Sequence, residues 1–188
     1  MADENYVVFD VETQRSAEDV GGWKNIRDLG ISVAVAHVAA EDAYRVYREA
    51  ELAALVELLR SAPLVVGFNI ISFDYPVLSR YTDFKLSSLP TCDLLADIHK
   101  QLGFRLKLDD VALSTLNTPK SADGLQAIQW YREGKWDELI EYCKQDVKVT
   151  RDLFEFGREH GFVYFNDKFK NTRRQVMVNW KSVQLAKG

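Results

Sequence analysis

The chain has few cysteines and no long apolar run. Its two cysteines, Cys92 and Cys143, stand far apart in a sequence of 188 residues. Two isolated cysteines support neither a disulfide framework nor a zinc site. The segment "MADENYV" at the start is acidic, and no apolar run approaches the length of a membrane span or a secretion signal. The sequence therefore predicts a cytoplasmic protein with no membrane partner.

The sequence also lacks internal repeats, low-complexity segments and linkers rich in Pro, Gly and Ser. At 188 residues and 47% hydrophobic, the chain is long enough for one well-buried core and short for two. We therefore expect a single domain over residues 1–188, with its core over about 5–160. The oligomeric state is left open by the sequence.

Charge is distributed unevenly along the chain. From residue 161 onward there are six basic residues and one acidic residue, or +5, whereas residues 1–160 hold 18 basic and 27 acidic residues, or −9. The basic side chains of this C-terminal segment are Lys168, Lys170, Arg173, Arg174, Lys181 and Lys187. Such a segment can contact phosphates, but a charge run is often only a solvated face. Both interpretations stay open.

The order of strand and helix patterns indicates an α/β fold. Three strand patterns come first, at 6–12, 30–38 and 44–47, and read as a β-meander. A helix over 49–62 and a continuous apolar strand over 63–69 follow. The remainder is mainly helical, near 91–102, 108–116, 125–133 and 136–160, before a final hairpin. We expect a mixed β-sheet flanked by helices.

Two carboxylates interrupt the first strand, which reads "VVFDVETQ". Asp10 and Glu12 are two residues apart, so their side chains point to the same face of the strand. Burial of ionised carboxylates is costly without compensation. This face therefore needs a positive partner.

Two further carboxylates are expected close to Asp10 and Glu12. Asp74, in "GFNIISFDYPVL", is expected at a helix start five residues after Asn69 closes the central strand, next to the end of the first strand. Asp146 lies among apolar residues on the last long helix, four residues after Tyr142. Each alone has a structural explanation, as a helix N-terminal residue or a solvated helix position. Together, four carboxylates imply bound metal, and oxygen ligands favour Mg²⁺ or Mn²⁺ over zinc.

The segments "FDVET", "GFNIISFDYPVL" and "YCKQD" resemble, in order, the three motifs of the DEDD superfamily of 3′–5′ exonucleases, as found in the proofreading domains of family B DNA polymerases. The resemblance implies a ribonuclease H-like fold and makes Asp10, Glu12, Asp74 and Asp146 metal ligands. It also implies that Tyr142 orients the attacking water. The Tyr subgroup is indicated because the other subgroup has His five residues before the last Asp, where this chain has Glu141.

The resemblance further implies a substrate and a mechanism. Thr13, Asn69 and Phe73 match positions that bind the terminal nucleotides of the substrate. Two divalent ions, Mg²⁺ or Mn²⁺, would support hydrolysis at the 3′ end of single-stranded DNA or RNA, with release of nucleoside monophosphates. The sequence carries no polymerase pattern, so it resembles a stand-alone form.

Two other functions fit parts of the sequence. A phosphatase of the haloacid dehalogenase type also has a strand that ends in paired acidic residues, and Asp109 and Asp110 would be its downstream carboxylates. That hypothesis gives Tyr142 and Asn69 no role. The second alternative is a catalytically silent module that binds nucleic acid with the same fold.

Overall fold

The first half of the sheet is an antiparallel meander. The computed structural model describes residues 5–118, 124–167, 170 and 172–182, with no account of the side chain at 182. Strand β1 (Val7–Thr13) pairs with β2 (Ile31–Val38), which pairs with β3 (Ala43–Arg48). All eight residues of β2 are buried, which explains why its sequence is apolar apart from Ser32 and His37. The predicted meander is confirmed, with a 3₁₀ helix, Trp23–Leu29, between β1 and β2.

The second half of the sheet is parallel. After helix α1 (Leu52–Ser61) comes strand β4 (Val65–Gly67), which runs parallel to β1. Helix α2 (Asp74–Leu78) leads to strand β5 (Thr91–Asp93), parallel to β4, and then to helix α3 (Leu94–Leu102). The strand order is β3-β2-β1-β4-β5. The predicted mixed sheet is confirmed, but the expected helix at 91–102 was wrong in its first three residues, which form β5.

Helices cover both faces of this sheet. Helices α4 (Leu108–Leu116), α5 (Gly124–Glu133) and α6 (Trp136–His160) lie with α3 on one face, packed against a core that includes Tyr6 and Val8. The other face packs Val7, Phe9 and Val11 against α1 and α2. Alternation of side chains along β1 therefore sends Asp10 and Glu12 toward α6.

The C-terminal segment forms the predicted hairpin, with β6 (Phe162–Asp167) antiparallel to β7 (Thr172–Met177). Its apolar side chains join the core beside α6, which places core residues past position 160: Val163, Phe165, Val176, Val178 and Trp180. Two of its cations already have contacts, since Arg174 pairs with Asp167 at 2.9 Å and Arg173 lies over the Tyr164 ring. Lys168 and Lys187 lie outside the described residues. Contact between the hairpin and nucleic acid stays a prediction.

Gly157 allows the segment after the hairpin to pack closely against α6. A Cβ added at Gly157 would lie 2.2 Å from Cε3 of Trp180, whose side chain is 2% exposed. Overpacking costs about 1–3 kcal/mol, and a 2.2 Å contact with a buried ring places the cost in the upper part of that range, above the gain in helix propensity of about 1 kcal/mol. We expect Gly157→Ala to lower the melting temperature by roughly 2–8 °C. Thermal unfolding checks this with the exposed Glu159→Ala as control, and an unchanged melting temperature for Gly157→Ala would contradict the tight packing.

None of the helices within the described ranges combines the length and the apolar character needed to cross a bilayer. The expected cytoplasmic location stays a prediction.

Candidate active site

The first two carboxylates lie near the middle of the sheet. Within β1, Asp10 is opposite Val35 and Glu12 is opposite Val33 of β2, while β4 pairs with the start of β1 on its other side. The register shifts between Glu12 and Thr13, where the strand ends. Glu12 is 8% exposed and Asp10 is partly exposed, so both side chains are held against the protein interior.

Asp74 is tied directly to β1. It is the first residue of α2, is 2% exposed, and its Oδ1 accepts the Val11 backbone N–H at 3.0 Å. This hydrogen bond joins α2 to β1 and holds the Asp74 carboxylate beside Asp10 and Glu12. The loop that leads to Asp74 follows β4, as expected for a site at the carboxyl ends of strands.

A buried carboxylate that was not among the predicted site residues holds this loop. Asp93, 4% exposed, accepts the backbone N–H groups of Asn69 at 2.8 Å and Ile71 at 3.0 Å. It also caps α3 by accepting the Ala96 N–H. The left-handed backbone of Asn69, with φ of 73°, makes the turn. The available sequence signal was an Asp directly before an apolar helical run.

Helix α6 supplies the remaining groups. Tyr142 and Asp146 are one turn apart on this helix, and the charge of Asp146 acts on the Tyr142 hydroxyl. Between them, the Cys143 sulfur lies 3.7 Å from Asp10 Oδ2 and 3.5 Å from the Asp10 carbonyl oxygen. Ligand atoms of Asp10, Glu12 and Cys143 all lie within 4.8 Å of one another. The apolar periodicity of α6 indicates a core position for Cys143 and does not indicate its contact with Asp10.

The carboxylates repel one another strongly. Burial raises the pKa of Asp10 well above its usual value, and the nearby charges of Asp74, Glu12 and Asp146 raise it further. Burial, with Asp146 and Asp74, likewise raises the pKa of Glu12. For Asp74, burial raises the pKa to about 8 although the Val11 N–H opposes the shift. Four carboxylates cannot all be ionised here without a compensating cation.

The donor set fits hard divalent cations. Carboxylate oxygens from Asp10, Glu12, Asp74 and Asp146 are the ligands that Mg²⁺ and Mn²⁺ prefer, and the raised pKa values show that added positive charge would be favourable there. The structure thus offers an acidic metal site. The number of ions and each residue's role as ligand stay predictions.

A pocket of about 580 Å³ opens beside the carboxylates. Its walls combine acidic side chains, apolar side chains and an arginine. They include Asp10, Glu12, Asp146, Arg15, Trp23, Phe73 and Leu125. Trp23 and Leu125 are unusually exposed for large apolar residues, at 67% and 69%. Such a pocket has surfaces for a flat ring next to a site for an anion held by metal.

Of the three predicted substrate-binding residues, two line the pocket and one does not. Thr13 and Phe73 both line the pocket, and the Thr13 hydroxyl donates to the Arg15 carbonyl oxygen at 3.0 Å. Asn69 is not among the described residues that line it, and its Oδ1 accepts a hydrogen bond from the exposed Arg105. Contact between any of the three and substrate stays a prediction.

Comparison with known proteins identifies the family. A family model of the RNase H superfamily matches residues 7–156, so the chain belongs to the RNase H superfamily. The expected ribonuclease H-like fold is therefore confirmed, and membership supports nuclease activity in general. No protein among the curated sequences matches the chain significantly.

The fold also resembles that of a solved polymerase. The family B DNA polymerase from the hyperthermophilic archaeon Pyrobaculum calidifontis matches with a TM-score of 0.64 at 17% identity. The match covers 81% of this chain and 24% of the polymerase chain. The protein thus shares the fold of about a quarter of that polymerase.

Proposed function

We propose that the protein is a metal-dependent 3′–5′ exonuclease of the DEDD superfamily, Tyr subgroup, acting on single-stranded DNA or RNA. The observation that carries the proposal is the cluster of four carboxylates from three distant segments, with Tyr142 one helical turn from Asp146, beside a pocket that Trp23 and Phe73 help to line. These segments are the ones that resemble the three exonuclease motifs. Family membership and the fold shared with a DNA polymerase support a nuclease.

In the proposed reaction, water adds to the phosphorus of the terminal phosphodiester. The bond from phosphorus to the 3′ oxygen of the preceding nucleotide breaks, that oxygen takes a proton, and a nucleoside 5′-monophosphate leaves. Two divalent ions held by Asp10, Glu12, Asp74 and Asp146 would supply charge stabilisation and acidity to the water. The protein's own contribution is to hold these four carboxylates and to position the water and the strand.

Tyr142 suits a positioning role better than a basic one. Burial, followed by the charges of Glu12 and Asp146, raises the pKa of Tyr142, so its hydroxyl keeps its proton at neutral pH. A protonated hydroxyl can donate one hydrogen bond, and its oxygen lone pairs can accept a hydrogen bond from a water molecule. This geometry orients a water without removing its proton.

The phosphatase alternative has no structural support. Asp109 and Asp110 lie in the first turn of α4 and are absent from the described residues that line the pocket beside Asp10. The antiparallel pairing of β2 with β1 and membership of the RNase H superfamily favour the nuclease over the phosphatase.

A digestion assay tests the proposed function. Single-stranded DNA and RNA of one sequence, labelled at the 5′ end, are incubated with the protein in Mg²⁺, in Mn²⁺ and in excess chelator. We expect products that shorten stepwise from the 3′ end with either ion and no products in chelator. Internal cuts as the first products would contradict exonuclease action, and undiminished cleavage in chelator would contradict metal dependence. A Glu12→Gln protein serves as the control for contaminating nuclease.

We also expect Mn²⁺ to stabilise the protein, because a cation relieves the repulsion between the buried carboxylates. At a free ion concentration of 100 times Kd, the linkage gain of about 2.7 kcal/mol corresponds to a rise in melting temperature of roughly 5–10 °C. Thermal unfolding with and without Mn²⁺ measures it. The same scan on Asp74→Asn should show a smaller rise, and an equal rise in both proteins would place the ion elsewhere.

A further inference from the structure

Arg15 lies at the wall of the candidate active site, two residues beyond β1. Its backbone is fixed from both sides, since its N–H donates to the Leu29 carbonyl oxygen at 3.1 Å and its carbonyl oxygen accepts from Thr13. Its side chain lines the same pocket as Asp10, Glu12 and Asp146. Arg15 is therefore fixed at the wall of this pocket by its backbone, close in sequence to the strand that carries two of the carboxylates.

The Arg15 side chain includes a buried donor without a partner in the described part of the chain, whereas other arginines have paired guanidinium groups. Its Nε is buried and has no hydrogen-bond partner among the described residues. Two other arginines, by contrast, pair with carboxylates: Arg80 with Asp28 at 2.8 Å and Arg132 with Asp19 at 2.7 Å. A buried donor with no acceptor is unfavourable and uncommon in folded proteins. An acceptor oxygen of a bound group reaches this Nε once the Arg15 side chain turns toward the pocket, because the atom is closed to solvent in the present conformation.

The chemistry of the pocket points to the identity of that group. Of the described residues that form its walls, Arg15 is the one with a cationic side chain. A guanidinium presents donors in a planar fork that matches phosphate oxygens. The same pocket exposes Trp23 and Phe73, whose rings meet edge to face at 6.4 Å, as apolar surface for a base. A phosphate attached to a nucleoside satisfies both parts.

We propose that Arg15 binds the phosphate of the terminal nucleotide, in the strand before cleavage and in the nucleoside 5′-monophosphate afterwards. This inference rests on the proposed function and adds a substrate-binding residue to it. The phosphate carries its negative charge before and after the bond to the preceding nucleotide breaks, so the Arg15 contact persists into the product complex. The same contact is therefore available to the nucleoside 5′-monophosphate.

Calorimetric titration with adenosine 5′-monophosphate and with adenosine, in Mn²⁺, tests the contact without any turnover. The variants are Arg15→Gln, which removes the charge, and Arg15→Lys, which keeps the charge and removes the fork. Arg60→Gln is the matched control, because Arg60 is exposed on α1 and pairs with Glu57. Loss of a charge-assisted hydrogen bond should weaken binding of the monophosphate to Arg15→Gln by about 10- to 100-fold. Binding of adenosine should not change, and Arg15→Lys should lie between.

Equal binding of the monophosphate to the wild-type protein and to Arg15→Gln would overturn the inference, as would no binding to the wild type at millimolar concentration. A lower melting temperature of ligand-free Arg15→Gln with unchanged affinity would assign Arg15 to the fold. The digestion assay separates this proposal from the proposed function. Cleavage by a wild-type protein with no Arg15-dependent binding overturns this inference alone, whereas Arg15-dependent binding without cleavage overturns only the exonuclease activity.

Discussion

Glu12→Gln and Asp146→Asn are each expected to lower the rate of 3′-end hydrolysis by roughly 10²- to 10⁴-fold while the protein stays folded. Each change removes a negative charge that the proposed ions need, and metal-based charge stabilisation contributes several kcal/mol, at about 1.36 kcal/mol for each tenfold in rate. The measurement is kcat with a labelled single strand in saturating Mn²⁺. Glu159→Gln is the matched control, since Glu159 is exposed on the same helix as Asp146.

The melting temperature in chelator distinguishes loss of a ligand from loss of structure. Removal of one negative charge weakens the repulsion between the buried carboxylates, which contributes to the raised pKa values of Asp10 and Glu12. The metal-free variants should therefore be at least as stable as the parent. Asp74→Asn extends the test, because an amide oxygen can still accept the Val11 N–H. Parental kcat in Asp146→Asn would reduce Asp146 to a structural helix residue.

Strong local signals explain what the sequence predicted well. Helices α4 and α6 begin and end where their apolar periodicity predicted, at 108–116 and 136–160. Gly161, with φ of 78°, ends α6 because a left-handed residue stops the helix. The alternation of side chains along β1 is equally local, and it suffices to predict that Asp10 and Glu12 share one face.

Tertiary context decided the features that the sequence did not reveal. Strand β5 has three residues, Thr91–Asp93, too few to show a period, and the helix propensity of the following residues masked it. Arg15 is one polar residue in a polar loop, and only the fold buries its Nε at the pocket wall. The proximity of Cys143 to Asp10 depends on the packing of α6 against β1, which a core-facing stripe alone does not specify.

Tyr142→Phe is the second change with a large expected effect, and it removes one oxygen with almost no change in volume. The ring of Tyr142 packs edge to face on Trp130 at 5.9 Å, a contact that Phe can keep. The lost hydroxyl is the group on which the charge of Asp146 acts and which would orient the water. A misplaced nucleophile forfeits part of the advantage of proximity, so we expect kcat to fall by roughly 10- to 10³-fold.

Affinity for substrate and for Mn²⁺ should change little in Tyr142→Phe, because all four carboxylates remain. Tyr131→Phe is the control, since Tyr131 also packs edge to face on a tryptophan, Trp136, at 5.6 Å but has no place in the proposed site. Measurement of kcat and melting temperature on the same preparations separates two roles. A structural hydroxyl would lower the melting temperature and leave turnover per folded molecule intact, and that result would contradict water orientation by Tyr142 and its placement in the Tyr subgroup.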